Sequence, residues 1–222
     1  MSDEIRWEPQ SVADLAAELS RIGDQYRTFI AEIYSTFNNI GTEEKWVGKN
    51  YNTIANQILN ASKSTFENWA DYLQVTIPNT VYEIAERQAE IGGGSVYFSL
   101  TPNSTEIKMI DETLEKADGS QKLDPNTVKS IVSNDIPAIC EEASSKLQNY
   151  YNQFQELGTL NNNAAILEMY NQLDAIITQN KAVLSEFQGQ VNEAVERTIQ
   201  NTVLTNEETV RIASRLSEIL NF

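Results

Sequence analysis

SVADLAAELSRIGDQYRTFIAEIYSTFNNIG, residues 11–41, decides the fold. Its apolar positions are Val12, Leu15, Leu19, Ile22, Tyr26, Phe29, Ile33, Phe37 and Ile40. They are spaced by three and four, which is the spacing of a seam along one face of a helix. Ser11 is a candidate N-cap. Gly41 is a candidate stop, since glycine takes the left-handed conformation without a Cβ penalty. The spacing predicts a helix from Ser11 to Ile40.

Downstream the pattern resumes with Tyr51, Ile54, Ile58, Ala61, Thr65, Trp69, Tyr72 and Thr76, flanked by Leu59, Phe66 and Leu73. A second helix is expected from Val47 to Ile91, kinked at Pro78 and stopped by Gly92-Gly93-Gly94. The intervening loop is short, so the two helices form an antiparallel hairpin. Asp124-Pro125 reads as the start of a third long helix, with Asp as N-cap and Pro at the first helical position. That helix carries Val128, Ile131, Ile136, Ile139, Ala143, Leu147, Tyr150, Phe154 and Leu157, with Pro137 near its start and Gly158 as its stop. A fourth carries Ile166, Tyr170, Leu173, Ile177, Asn180, Leu184, Phe187, Val191, Ala194 and Thr198. Asn180 is a polar residue on that seam, a device that fixes register at some cost in stability. Thr205-Asn206-Glu207-Glu208 reads as a capping box before a short last helix through Leu220.

The expected fold is all-α: two antiparallel helical hairpins forming an elongated four-helix bundle, with a short C-terminal helix. Residues 1–94 make the first hairpin, 95–124 a linker, and 125–222 the second hairpin with the last helix. Within the linker, Val96 to Leu100 reads as an extended segment and Thr105 to Lys116 as a short amphipathic helix, followed by a turn at Asp118-Gly119-Ser120. The halves resemble one another. Phe37, Gly41 and Thr42 recur at the same spacing as Phe154, Gly158 and Thr159, and Val81 to Arg87 resembles Val191 to Arg197.

Composition excludes several function classes. The 222 residues hold 16 Lys+Arg, 32 Asp+Glu, no His and one Cys, for a formal charge of −16. Without histidine there is no Ser-His or Cys-His nucleophile and no imidazole metal ligand. One cysteine cannot close a disulfide within the chain, and Cys140, followed by Glu141 and Glu142, reads as a helix residue rather than a reactive thiol. No acid, base and nucleophile converge, so no catalytic, cofactor or metal residue is assigned and a non-enzymatic protein is expected. The negative charge disfavours nucleic acid and anionic membrane surfaces. The start of the chain has no signal-peptide pattern, and no stretch is apolar enough to span a bilayer.

Between the first two helices stands Trp46-Val47-Gly48, and near the end of the second stands Tyr82-Glu83-Ile84-Ala85-Glu86. A Trp-X-Gly turn between long amphipathic helices, followed by Tyr-X-X-X-Glu, resembles the WXG superfamily, the ESAT-like helical hairpins of the type VII secretion system. The resemblance covers residues 11–91. It implies Trp46 and Gly48 as the hairpin-turn motif, and Tyr82 and Glu86 as an export signal. It also implies a secreted protein that leaves by a leaderless route from the bacterial cytoplasm. The implied partners are proteins, such as a secretion ATPase or another WXG-type protein. Members are usually one hairpin long and pair as dimers. This chain is twice that length, its second turn lacks the tryptophan, and Asn192 replaces the tyrosine. The resemblance therefore implies a tandem repeat, either an intramolecular pseudo-dimer or a homodimer with exchanged hairpins. Alongside it, Trp46 can simply staple the turn, and Tyr82 with Glu86 can be an ordinary helix-surface pair. The alternative function is a cytoplasmic helical-bundle adaptor or chaperone with no export role.

Overall fold

The computed structural model describes residues 8–103, 105–114, 121–160 and 164–220, with side chains for all of these except 164–167 and 212–220. The expected turn at Asp118-Gly119-Ser120 lies outside the described residues. The fold is an all-α bundle of four long helices. These are α1 (Pro9–Thr42), α2 (49–91), α3 (125–155) and, after the short α4 (Leu157–Leu160), α5 (Ala164–Leu220). Two short strands, β1 (Trp46–Val47) and β2 (Lys122–Leu123), pair antiparallel with Trp46 opposite Leu123 and Val47 opposite Lys122.

The chain reaches α1 two residues earlier than expected. Pro9 takes the first turn, where its missing N–H costs nothing, and Ser11 spends its hydroxyl on the Glu8 carboxylate at 3.2 Å instead of capping. The α1 seam is buried as its spacing predicts, except for Phe29, which is half-buried.

The α2 seam does not hold its register. Ala55–Asn60 and Tyr72–Thr76 are π-helical. A π turn inserts one residue and rotates the face presented to the core. Ala55, Leu59, Phe66, Ala70 and Leu73 therefore line the interior, while Ala61, Thr65 and Thr76 are exposed and Trp69 is half-buried. Prolines explain two of the three π segments among the described residues. Tyr72–Thr76 ends against Ile77-Pro78, and Ile131–Asp135 in α3 ends against Ile136-Pro137. A widened turn accommodates the proline ring and the missing donor without breaking the helix. The π-register donor for the Leu73 carbonyl would be residue 78, a proline; the Tyr150 hydroxyl donates to that oxygen instead, at 2.9 Å. Tyr34 donates likewise to the Leu59 carbonyl of the other α2 π segment, at 2.6 Å.

Contacts along the helices fix the topology. The strand pair places the start of α3 beside Trp46, and Tyr150 reaches Leu73, so α3 runs parallel to α2. Leu173 lines a groove with Ile77, and Phe187 stands edge-on to Phe66 at 5.2 Å, so α5 runs antiparallel to α2. The second hairpin corner thus lies at the opposite end of the bundle from the first. Asn180, fully buried, accepts from the Tyr26 hydroxyl at 2.9 Å and ties α5 to α1.

The C-terminal segment is helical, as expected, but continuous with α5 rather than a separate short helix. Thr205 does not cap. Its hydroxyl donates to the Asn201 carbonyl at 2.8 Å, one of a run of such back-bonds from Thr198 to Thr209 that use up the hydroxyls within the helix. From residue 200 to 211 every side chain is exposed, so α5 leaves the bundle beyond the first corner.

Candidate interaction surface: the first corner and its strap

The turn between α1 and α2 builds the first corner. Gly41 is not the left-handed stop; it remains within α1, and Glu44, at φ 52°, takes the positive-φ position. Gly41 is glycine because of a close approach. A Cβ there would lie 2.7 Å from the Tyr51 ring and 2.9 Å from Thr113 Cγ2. Tyr51 stacks on Phe37 at 5.3 Å and meets Trp46 edge-on at 5.9 Å. Trp46 is 1% exposed and plugs the end of the core. Gly48 has φ +120°, a conformation side chains rarely adopt, and its N–H donates to Thr113 Oγ1 at 2.9 Å. Both residues of the Trp-X-Gly turn thus have defined structural work at this corner.

The second corner repeats the arrangement. Phe154 stands edge-on to Tyr170 at 5.5 Å, and the Gly158 N–H donates to the Tyr170 hydroxyl, which donates in turn to the Gln155 carbonyl at 2.6 Å. A Cβ on Gly158 would collide with that hydroxyl. Phe37, Gly41 and Tyr51 thus have counterparts in Phe154, Gly158 and Tyr170. Sequence spacing does not align the two tyrosines, because Tyr51 follows Gly41 by ten residues and Tyr170 follows Gly158 by twelve.

On α2, Tyr82 is half-buried and Glu86 exposed. Phe98 stacks on the Tyr82 ring at 4.8 Å, and the Tyr82 hydroxyl donates to the Val96 carbonyl at 3.3 Å. The structure brings neither residue near Trp46 or Gly48, which lie at the other end of α2.

Residues 95–103 and 105–114 are a strap along the α1–α2 groove. The expected amphipathic helix at 105–116 is absent over its described part, 105–114. The reason is distance. The chain must return from the end of α2 to the first corner, where α3 begins. Thr101 is held by Ser20 and Gln74, and Thr113 by Asn52. At a helical rise of 1.5 Å, Gln74 and Asn52 are about 33 Å apart along α2. Twelve strap residues cover that span at about 2.7 Å each, near the polyproline II rise and almost twice what a helix gives.

An extended strap cannot bond to itself, and asparagines satisfy it. Asn60 accepts from the Ile110 N–H at 2.8 Å and donates to its carbonyl at 3.1 Å. Asn52 does the same for Thr113, at 2.8 and 3.0 Å. Asn38 accepts from the Asp111 N–H at 3.0 Å, and Asn56 donates to the Glu112 carboxylate at 2.5 Å. Asn52, Asn56 and Asn60 recur every fourth residue of α2, one ladder on one face. Between them Ile107 and Ile110 drop into the core, at 0% and 3% exposure. Further along, Arg27 donates to Gln74 Oε1 at 2.9 Å and pairs with Asp71, while Gln74 donates to Asp24 at 3.1 Å. Arg27 and Gln74, the buried members of this polar cluster, sit where Gly23 lets the α1 backbone approach α2; a Cβ there would lie 2.6 Å from Gln74 Cα.

Cys140 is buried in α3, and burial pushes its thiol up to about 12. Among the described residues, no group of three or more His, Cys, Asp or Glu side chains could hold a metal ion, and no helix is long and apolar enough to cross a membrane. Comparison with family models, with curated proteins and with solved structures finds no match.

Proposed function

We propose that this chain is a non-enzymatic WXG-type protein, exported by or associated with a type VII-like secretion system, that acts through protein contacts. The observation that carries the reading is the first corner: Trp46 seals it, Gly48 turns it, and two long helices leave it as a hairpin. The second hairpin packs antiparallel to the first with a related corner, so one chain supplies both halves of the pair that the resemblance implies. Glu86 and the free edge of Tyr82 are then the surface offered to a secretion ATPase or another WXG-type protein. The cytoplasmic adaptor or chaperone reading is favoured by one observation, the Phe98 ring lying on Tyr82. The test compares culture supernatants of wild type, Glu86→Ala, Tyr82→Ala and a strain lacking the secretion ATPase, with intracellular levels as control. Export lost in the last two supports the proposal. Equal extracellular levels in all four strains overturn it and leave the adaptor reading.

A further inference from the structure

We infer that the α1–α2 groove is a binding site for an extended peptide, occupied in cis by residues 105–114. The inference is independent of export and of any role for Tyr82.

Three features make this a site rather than a packed linker. First, the groove reads main chain. Asn60 and Asn52 each engage both the N–H and the C=O of one strap residue, and Asn38 takes a third N–H. A side-chain amide presents the same donor–acceptor pair as a neighbouring strand, so these bonds make no demand on the side chains of the bound segment. Second, its selectivity lies in a short apolar code. Ile107 and Ile110 are buried and Thr113 meets Gly41 and Gly48, one inward residue in every three. That is the repeat of a polyproline II-like chain, with three residues per turn. Met109, between them, is 59% exposed. Third, the asparagines are costly for the helix that carries them. Asn is a poor helix former, and three at consecutive turns weaken α2 unless they bind something.

The occupant chemistry follows from the resident segment. It is an extended peptide with two aliphatic residues three apart and a small hydroxyl residue three further on. A partner carrying that pattern competes with the strap for the same asparagines, and the strap is then an autoinhibitory occupant.

The test uses the full chain with Ile107→Asp and Ile110→Asp, which removes the strap's two apolar anchors and leaves the helices untouched. A fluorescein-labelled TEIKMIDETL peptide, residues 105–114, is titrated by anisotropy. Helix content is checked by circular dichroism. The open variant should bind the peptide at least tenfold more tightly than wild type does. Asn52→Ala or Asn60→Ala added to it should each weaken binding about tenfold. The same peptide with Ile110→Asp should not bind. A folded open variant that ignores the peptide, or binds it equally well without Asn52 and Asn60, overturns the inference. If the double variant does not fold, Ile107→Ala with Ile110→Ala replaces it. Failure of both to fold also overturns the inference, because the strap is then core and not occupant.

Discussion

The two corners of the bundle use the same three residue types and end up unlike. At the first, Phe37, Gly41 and Tyr51 lie under Trp46 and the strap, and Tyr51 is fully buried. At the second, Phe154, Gly158 and Tyr170 form a similar cluster, but Tyr170 is only half-buried. The glycine serves the same purpose twice: it lets a tyrosine from the next helix press on the end of the previous one. What differs is the cover. The strap must come back to the first corner to start α3, and it brings Thr113 and β2 with it. The covered corner should therefore carry stability and the open one should tolerate change.

The largest expected effect is at the plug. Trp46→Ala removes a fully buried ring that Tyr51 meets edge-on and should cost about 3–5 kcal/mol. Tyr170→Ala, at the open corner, should cost clearly less, because its cavity opens to solvent. Urea unfolding of the two variants measures the difference. Equal losses would mean that the cover is energetically idle.

The glycines give the next test. Gly41→Ala drives a Cβ against the Tyr51 ring, which is held between Phe37 and Trp46 and cannot retreat. The expected loss is about 1–3 kcal/mol. Gly158→Ala meets the hydroxyl and the adjacent ring edge of Tyr170, a half-buried side chain that can swing outward at the loss of its two hydrogen bonds, and should cost about 1 kcal/mol, less than Gly41→Ala. Thermal melts of the two single variants decide the order.

These contrasts also mark what the sequence could tell. The α1 seam was legible because it is an uninterrupted helix with one buried face. The α2 seam is legible as helical but not in its register, since a π turn leaves no trace in a spacing of three and four. The prolines announced a disturbance at Pro78 and Pro137, yet a kink and a π segment look the same from sequence. Gly41 reads from the sequence as a left-handed stop, whereas its constraint comes from Tyr51, ten residues away in another helix. The strap was the least legible part. Its bonds are made by side chains dozens of residues distant, and its isoleucines, three apart, mimic a helical face. Asn52, Asn56 and Asn60, evenly spaced on a helix they disfavour, were the signal that could have found it.

Removing only the hydroxyls should invert the order of the corners. The Tyr170 hydroxyl both accepts from Gly158 and donates to Gln155, whereas the Tyr51 hydroxyl reaches the Phe37 carbonyl only at 3.4 Å. Tyr170→Phe is expected to cost about 1 kcal/mol, and Tyr51→Phe less than half of that. Denaturant midpoints of the pair check this, and a larger loss at Tyr51 would mean that its long bond matters more than its geometry allows.

Alkaline titration separates the corners with the smallest perturbation. Burial raises the pKa of both tyrosines, and the Asp111 carboxylate on the strap raises that of Tyr51 further. Tyr170 should therefore ionise first, and absorbance near 295 nm in Tyr51→Phe and Tyr170→Phe assigns each step. Asp111→Asn should bring Tyr51 down and leave Tyr170 in place. Stability follows with a fixed sign. Buried tyrosines and Cys140 keep protons that the unfolded chain releases, so their contribution is full below the unfolded values and declines above them. For Cys140 that window runs from 9.0 to about 12. Cys140→Ala should flatten the lower part of the decline. If Tyr51 instead titrates with Tyr170, the strap does not seal the first corner in solution, and the difference in cover that separates the two corners is lost.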